Sequence, residues 1–213
     1  MRVLIVGATD EALDLVREFI RNKHEVIVVD DNKTRIDRVV QEFDVAAYLF
    51  SLIDLEIFQQ IGIHKADIVI AIHSVDTVNL VVCTLAKHFR VPKVYAIVNN
   101  KETADILEKL ELANSVKIKS KAVFKELLEM IYNVRITEFD KDHYLILVNV
   151  EENERLLDKK VNDIEDEGIK VLAIVSSENN IVSFDKNYSF KKNDRVFLIA
   201  DKDKLGSFLS KFT

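Results

Sequence analysis

Gly7, Thr9, Ala12 and Asp30 are the residues whose types and spacing point most directly to chemistry. In the opening run MRVLIVGATDEALDLVREFIRNKHEVIVVD, an apolar stretch leads through a turn into a helical pattern, then into a second apolar stretch that ends in an acid. A Gly-x-Gly-x-x-Gly turn between strand and helix lets the backbone approach a pyrophosphate, and an acid about 20 residues further on holds ribose hydroxyls. Gly7 takes the first glycine place, while Thr9 and Ala12 stand at the second and third. Ala12 still permits close packing of helix on sheet. Thr9 sets a β-branched side chain where phosphates would meet bare backbone, and it resists positive φ. Asp10 and Glu11 add two carboxylates to the first helical turn, where they suit the helix dipole but compete with a phosphate for the same field. Asp30, 23 positions after Gly7, is placed for a ribose. It reads equally well as a cap on the turn into the next helix through Asp31-Asn32.

The elements that must position these residues follow from periodicity. Apolar runs of strand length occur at Val3–Val6, Val26–Val29, Ile68–Ile72 and Val94–Val98, with weaker ones at Ala46–Leu49 and Val116–Ile118. Segments of helical spacing separate them; in the first, Leu13, Val16, Phe19 and Ile20 share one face. Alternating β-branched strands and helices imply a parallel sheet covered on both sides, here a Rossmann-like doubly wound α/β domain of two three-strand halves. After residue 135 the pattern changes. His143–Val150, Lys170–Ser176, Asn180–Phe184 and Arg195–Ala200 are strand-like, and Val161–Glu165 and Lys202–Lys211 suggest short helices. The expected organisation is an α/β domain over 1–134, including a connector helix at Ser120–Tyr132, and a small α+β domain over 135–213. The connector's Val123, Phe124, Leu127, Leu128, Met130 and Ile131 exceed what one stripe can hide, so this helix is expected to pack on the other domain or on another subunit. The helix of Val75–Phe89 carries a similar apolar excess.

Composition narrows the function classes. The chain has 213 residues, 48% of them hydrophobic, and a formal net charge of −6, which argues against disorder and against nucleic acid as the main partner. The single cysteine, Cys83, excludes an internal disulfide and suits a reducing compartment; its setting is that of a small core group. No apolar run reaches the ~18 residues needed to cross a bilayer and no leader is visible, so a cytoplasmic location is expected. The five histidines have no metal-ligand spacing with one another or with Cys83. The acidic stretch at 165–167 lacks the spaced ligands and central glycine of a calcium loop.

Across nearly all its length the chain resembles the RCK/KTN family, in which a Trk-type N-terminal domain is followed by a Trk-type C-terminal domain. The resemblance rests on MRVLIVGATDEA, on HEVIVVDDNKTRID with Arg35, on IFQQIGIHKADIVIAIHSVDTVNLVVCTLAKHF with Asp76 and Asn79, and on VPKVYAIVNN around Pro92. In the second half it rests on VNVEENERLLDKKVNDI, VLAIVSSENNIVSF and KKNDRVFLIAD. The order and spacing of these segments carry it, not any one motif. It implies a cytoplasmic gating subunit of a Trk- or Ktr-type potassium uptake system, peripheral to the inner membrane face through a membrane-embedded transporter or channel subunit. It also implies homo- or hetero-oligomers, with dimers assembled into a ring.

Set against that family, the nucleotide site is reduced. Phe50-Ser51 replaces a Gly-Asp pair, and Ile97 stands where an arginine is common. The remaining candidate binding residues are Gly7, Ala8, Thr9, Asp30, Asp31, Arg35, Ile72, His73 and Asn79, at the carboxyl ends of strands where open α/β sheets bind ligands. They favour an adenine nucleotide (AMP, ADP or ATP) held by its nucleoside end over NAD(H). Asn79 reads alternatively as a partner for a loop carbonyl, and His73 as a surface residue. Asn149, Arg155 and Arg195 are polar candidates for a separate effector in the second domain. The second half shows none of the hydrolase, zinc-protease or phosphate-loop motifs, so a ligand-biased switch is expected and an enzyme is not. Two alternatives stand beside it: a free-standing nucleotide-sensing or partner-binding module, and a structural subunit of a mixed ring that has lost its nucleotide.

Overall fold

The sequence pattern resolves into two sheets. The computed structural model describes residues 1–49, 55–150, 154–165, 168–182 and 185–211. The chain divides into compact units at 1–122 and 123–213.

In the first unit the order is β1 (Arg2–Val6), α1 (Asp10–Arg21), β2 (Glu25–Asp30), α2 (Lys33–Glu42), β3 (Ala46–Leu49), α3 (Leu55–Gln60), β4 (Ile68–Ala71), α4 (Asp76–His88), β5 (Lys93–Val98), α5 (Lys101–Lys109) and β6 (Ser115–Ile118). The six strands are parallel and lie in the order β3-β2-β1-β4-β5-β6, so the winding reverses between β1 and β4. That reversal opens a crevice at the carboxyl ends of the strands. Val3 and Ile5 of β1 face a core with Leu13, Val16 and Val28, while Leu4 and Val6 face the opposite core with Val69, Val82 and Cys83. Burial on both faces explains why these strands read as unbroken apolar runs. Burial also pushes the Cys83 thiol up to about 12, which makes it an inert core group.

Helix starts are set by side chains. Asn32 accepts from Arg35 N at 3.2 Å to cap α2, and Asn100 accepts from Thr103 N at 2.9 Å to cap α5. Residues just past several helix ends take left-handed backbone without being glycine: Lys23, Arg90, Glu111 and Asn133 lie at φ between 49° and 59°.

The second unit holds most of α6 (Lys119–Tyr132), followed by β7 (Val134–Glu138), β8 (His143–Asn149), α7 (Val161–Ile164), β9 (Ile169–Val175), β10 (Ile181–Val182), β11 (Arg195–Asp201) and α8 (Leu205–Lys211). Its five strands form an antiparallel sheet in the order β10-β9-β11-β8-β7. One face packs Ile136, Ile146, Val148 and Leu198 against Phe190, Phe208 and Leu209. The other carries Leu145, Leu147, Phe197 and Ile199, all partly exposed.

Strand β7 has no counterpart in the sequence reading. Asn133 ends α6 at φ 49°, and the next five residues alternate Val134 and Ile136 inward with Arg135 and Thr137 outward. The helix ends at Tyr132, as expected; the strand after it escaped notice because only Val134 and Ile136 of its five residues face the core, too short an alternation to stand out in the sequence. The unit boundary also falls earlier than the expected 134/135, because Leu128 and Tyr132 of α6 pack on the second core. Val123, Phe124, Leu127, Met130 and Ile131 remain exposed along the helix. Helix α8 begins at Leu205, since Lys202–Lys204 form a turn. Residues 166–167 of the acidic stretch and 183–184 of the strand expected at Asn180–Phe184 in the second domain lie outside the described residues.

A pH effect follows from the β7–β8 turn. His143 Nδ1 lies 2.8 Å from Asp140 Oδ1, and Nε2 lies 3.4 Å from Asp201 Oδ1 on the neighbouring strand β11. The Asp140 hydrogen bond leads in raising the His143 pKa, with Asp140, Asp201 and Asp142 adding charge attraction. Asp140 is lowered, first by the Asp142 backbone N–H and then by His143. A raised histidine stabilises the fold below its unfolded value and loses that contribution as pH rises through the folded value. The Asp140 contribution is lost instead as pH falls through its own depressed value. Thermal melts from about pH 5.5 to about pH 8.5 should therefore show a decline that His143→Gln flattens.

Candidate functional site

The crevice between β1 and β4 gathers most of the predicted site residues. Gly7 ends β1 at φ 109°, and its N–H donates to Val29 O at 2.8 Å. A Cβ at this position would lie 2.5 Å from His73 Cα and 2.6 Å from Ile72 C, so only glycine allows the β1 and β4 ends to approach this closely. Thr9 needs no positive φ: at φ −74° and ψ 169° it is the N-cap of α1, its hydroxyl accepting from Ala12 N at 3.4 Å. The side chain at the second glycine place thus replaces an anion as partner to the helix start.

Asp30 is fully buried at the end of β2. Its Oδ2 accepts from Ala8 N at 2.6 Å and its Oδ1 from Asn32 N at 2.8 Å. Arg35 Nη1 lies 3.5 Å from Oδ2 and donates to Ser74 Oγ at 3.3 Å. One carboxylate therefore ties the glycine turn to the start of α2, and the α2 cap brings Arg35 over it. The capping role and the crevice role coincide in this residue, and both its oxygens are already in use.

His73 is buried, not a surface residue. Val75 N donates to its Nδ1 at 3.2 Å, which leaves the ring proton on Nε2, directed at Asp31 Oδ1 3.3 Å away. Asp30, Asp31 and His73 bring possible ligand atoms within 4.8 Å of one another. Both ring nitrogens are engaged, so the imidazole has no lone pair free for a cation in this arrangement.

Asn79 braces the loop: its Oδ1 accepts from His73 N at 2.8 Å, and its Nδ2 donates to His73 O and Ile97 O at 2.8 and 3.1 Å. The loop-carbonyl alternative describes it, and Ile72 beside it is buried. Asp76, absent from the predicted set, accepts from the Asn99 and Asn100 backbone N–H groups at 2.8 and 2.9 Å and fixes the loop after β5. Also missed were Arg38 and Lys119. Arg38 Nη1 binds Asp10 Oδ1 at 2.5 Å, and Lys119 pairs with Glu11. The Lys119 hydrogen bond leads in holding the Glu11 carboxyl below its ordinary value. Neither cation lies in a motif; only the folded crevice relates residues 28 and 108 positions from their partners. Phe50-Ser51 falls outside the described residues.

In the second unit Asn149 and Arg195 are cross-strand neighbours, and Arg195 donates to Asn179 Oδ1 at 2.7 Å. Asn149 also lines a groove of about 540 Å³ with Glu126, Glu129, Met130, Arg135 and Leu147. Arg155 lies on a short 3-10 turn at Glu154–Leu156.

The strand order, the glycine turn and the acid closing β2 place the first unit among Rossmann-type nucleotide-fold domains. Residues 3–117 match the TrkA-N domain, and residues 145–213 match the TrkA-C domain. The chain belongs to the TrkA-N domain family. Over 217 aligned positions it is 18% identical to the Trk system potassium uptake protein TrkA homolog of Methanothermobacter thermautotrophicus, covering all of both chains. A TrkA homolog of Archaeoglobus fulgidus is 30% identical over 105 residues, which is 49% of this chain and 24% of that protein. Among solved structures, the GsuK channel bound to NAD superimposes with a TM-score of 0.60 at 15% identity, covering 99% of this chain and 39% of the channel chain. The chain thus spans less than half the length of the latter two proteins. Among the described residues no helix is long and apolar enough to cross a membrane.

Proposed function

We propose that this protein is a regulatory subunit of a potassium transporter or channel, held at the inner face of the membrane by its partner and biased between conformations by an adenine nucleotide. The observation that carries the reading is the tandem order of TrkA-N and TrkA-C domains, together with end-to-end similarity to a potassium uptake TrkA homolog. Nucleotide binding is supported by the crevice at the β1–β4 reversal, where Ala8, next to the Gly7 turn, and Arg35 converge on Asp30. Thr9, capping α1 at the second glycine place, stands where the pyrophosphate of a dinucleotide would approach bare backbone, which favours AMP, ADP or ATP over NAD(H). The role is regulatory, not catalytic: the protein supplies a binding equilibrium whose two states a ligand weights differently.

Assembly into homo- or hetero-oligomers belongs to the same reading. It is supported by the exposed apolar side chains of α6 and by the apolar outer face of the antiparallel sheet around Leu145, Leu147, Phe197 and Ile199.

Deleting the gene in its native host tests the function. Rubidium uptake should fall and be restored by the wild-type chain, and the tagged chain should retain a potassium transporter from solubilised membranes. Unchanged uptake with no transporter retained would overturn the proposal.

A further inference from the structure

Two carboxylates of the chain sit where the crevice meets the start of α1, and each is matched to a cation from a different element. Asp10 binds Arg38 of α2, with Nη1 at 2.5 Å, while Arg38 Nε binds Glu42 at 2.7 Å. Glu11 binds Lys119 at the start of α6. A third cation, Arg35, leans on buried Asp30. The contacts with Asp10 and Glu11 therefore bridge α1 to α2 and to α6 across one end of the crevice. All four side chains are at least 45% exposed, so each pair contributes little to stability and can be exchanged for another anion.

We propose that Asp10 and Glu11 are built-in competitors for the ligand's phosphates: in the unliganded chain they occupy Arg38 and Lys119, and an adenine nucleotide must displace them to bind. This inference rests on the nucleotide reading above and specifies how that site is regulated. Its chemistry has a selectivity consequence. Adenosine meets no competition, a monophosphate can replace one carboxylate, and a di- or triphosphate can replace both. The displaced carboxylates remain near the bound phosphates and repel them, so these two residues lower the affinity of the crevice for phosphates.

The test is calorimetric titration of the full chain with ATP, ADP, AMP and adenosine in magnesium-free buffer. Wild type is compared with Asp10→Asn/Glu11→Gln and with Asp14→Asn, an acid on the same helix that pairs with Arg17. The double variant should bind ATP and ADP about tenfold more tightly and AMP about threefold more tightly, with adenosine unchanged. Asp14→Asn should stay within about twofold of wild type for every ligand. Equal ATP affinity in wild type and double variant overturns the competition and leaves the nucleotide reading standing. Equal tightening of ATP and adenosine also overturns it, by showing that the substitutions loosen the crevice. Binding of no ligand to either form overturns both. Matching melting curves establish that the variants are folded.

Discussion

Replacing Gly7 with alanine is expected to cost the first unit about 4 kcal/mol, the largest single-site loss in the crevice. Two effects combine. At φ 109° an L-residue is strained, and the added methyl would press on backbone atoms of Ile72 and His73 at 2.5 to 2.6 Å. Backbone cannot swing aside as a side chain end can, so relief requires β1 and β4 to separate at their carboxyl ends. Those strands carry Leu4, Val6, Val69 and Ala71 into the core, and separating them opens that packing. The check is urea denaturation followed by circular dichroism, with Ala8→Gly as a neighbouring control. A Gly7→Ala chain within about 1 kcal/mol of wild type would contradict the tight approach described here.

The second large effect is expected at Asp30. Asp30→Ala should destabilise the first unit by about 3 kcal/mol, because it removes a charged acceptor from one buried and one part-buried backbone donor at once. Ala8 N would stay buried without its partner at 2.6 Å, and Asn32 N, nearer the surface, would lose its partner at 2.8 Å. The loss should appear in the denaturation midpoint in the absence of any nucleotide, which separates it from a binding effect. Arg35→Ala, by contrast, removes a side chain that is about a third exposed and should leave the midpoint nearly unchanged while weakening nucleotide binding. If Asp30→Ala melts like wild type, the carboxylate does not hold the turn together. Asp30→Ala is for the same reason a poor probe of ligand binding by itself.

The fold was legible in the sequence because most of its signals are local. Ala46–Leu49 was delimited to the residue, and the other five strands of the parallel sheet to within one residue at each end. In each, β-branched runs alternate with helical spacing, and a parallel sheet buried on both faces leaves no other economical arrangement. Strand β7 was not legible, since only two of its residues, Val134 and Ile136, face the core and so short an alternation does not stand out. The site divides along the same line. Gly7 and Asp30 stand at spacings that a motif can express, and their positions in the crevice follow from it. Thr9 was read as an obstacle to phosphate and is a cap, because the same hydroxyl that crowds a ligand can accept from Ala12 N. His73 lies against Asp31, and Arg38 and Lys119 against Asp10 and Glu11, only once the strands are ordered. No spacing in the chain records a pairing between residues 108 positions apart.

The outer stripe of α6 has a consequence for the life of the protein in the cell. Phe124, Met130 and Ile131 are each more than 60% exposed, on the same helix as Val123 and Leu127. Apolar surface of this kind is what chaperones and quality-control proteases recognise, and a chain that has found no partner displays it continuously. If the proposed assembly covers this helix, subunits made in excess of their partners are expected to be cleared faster than assembled ones, and the amount of the protein should follow the supply of whatever covers it.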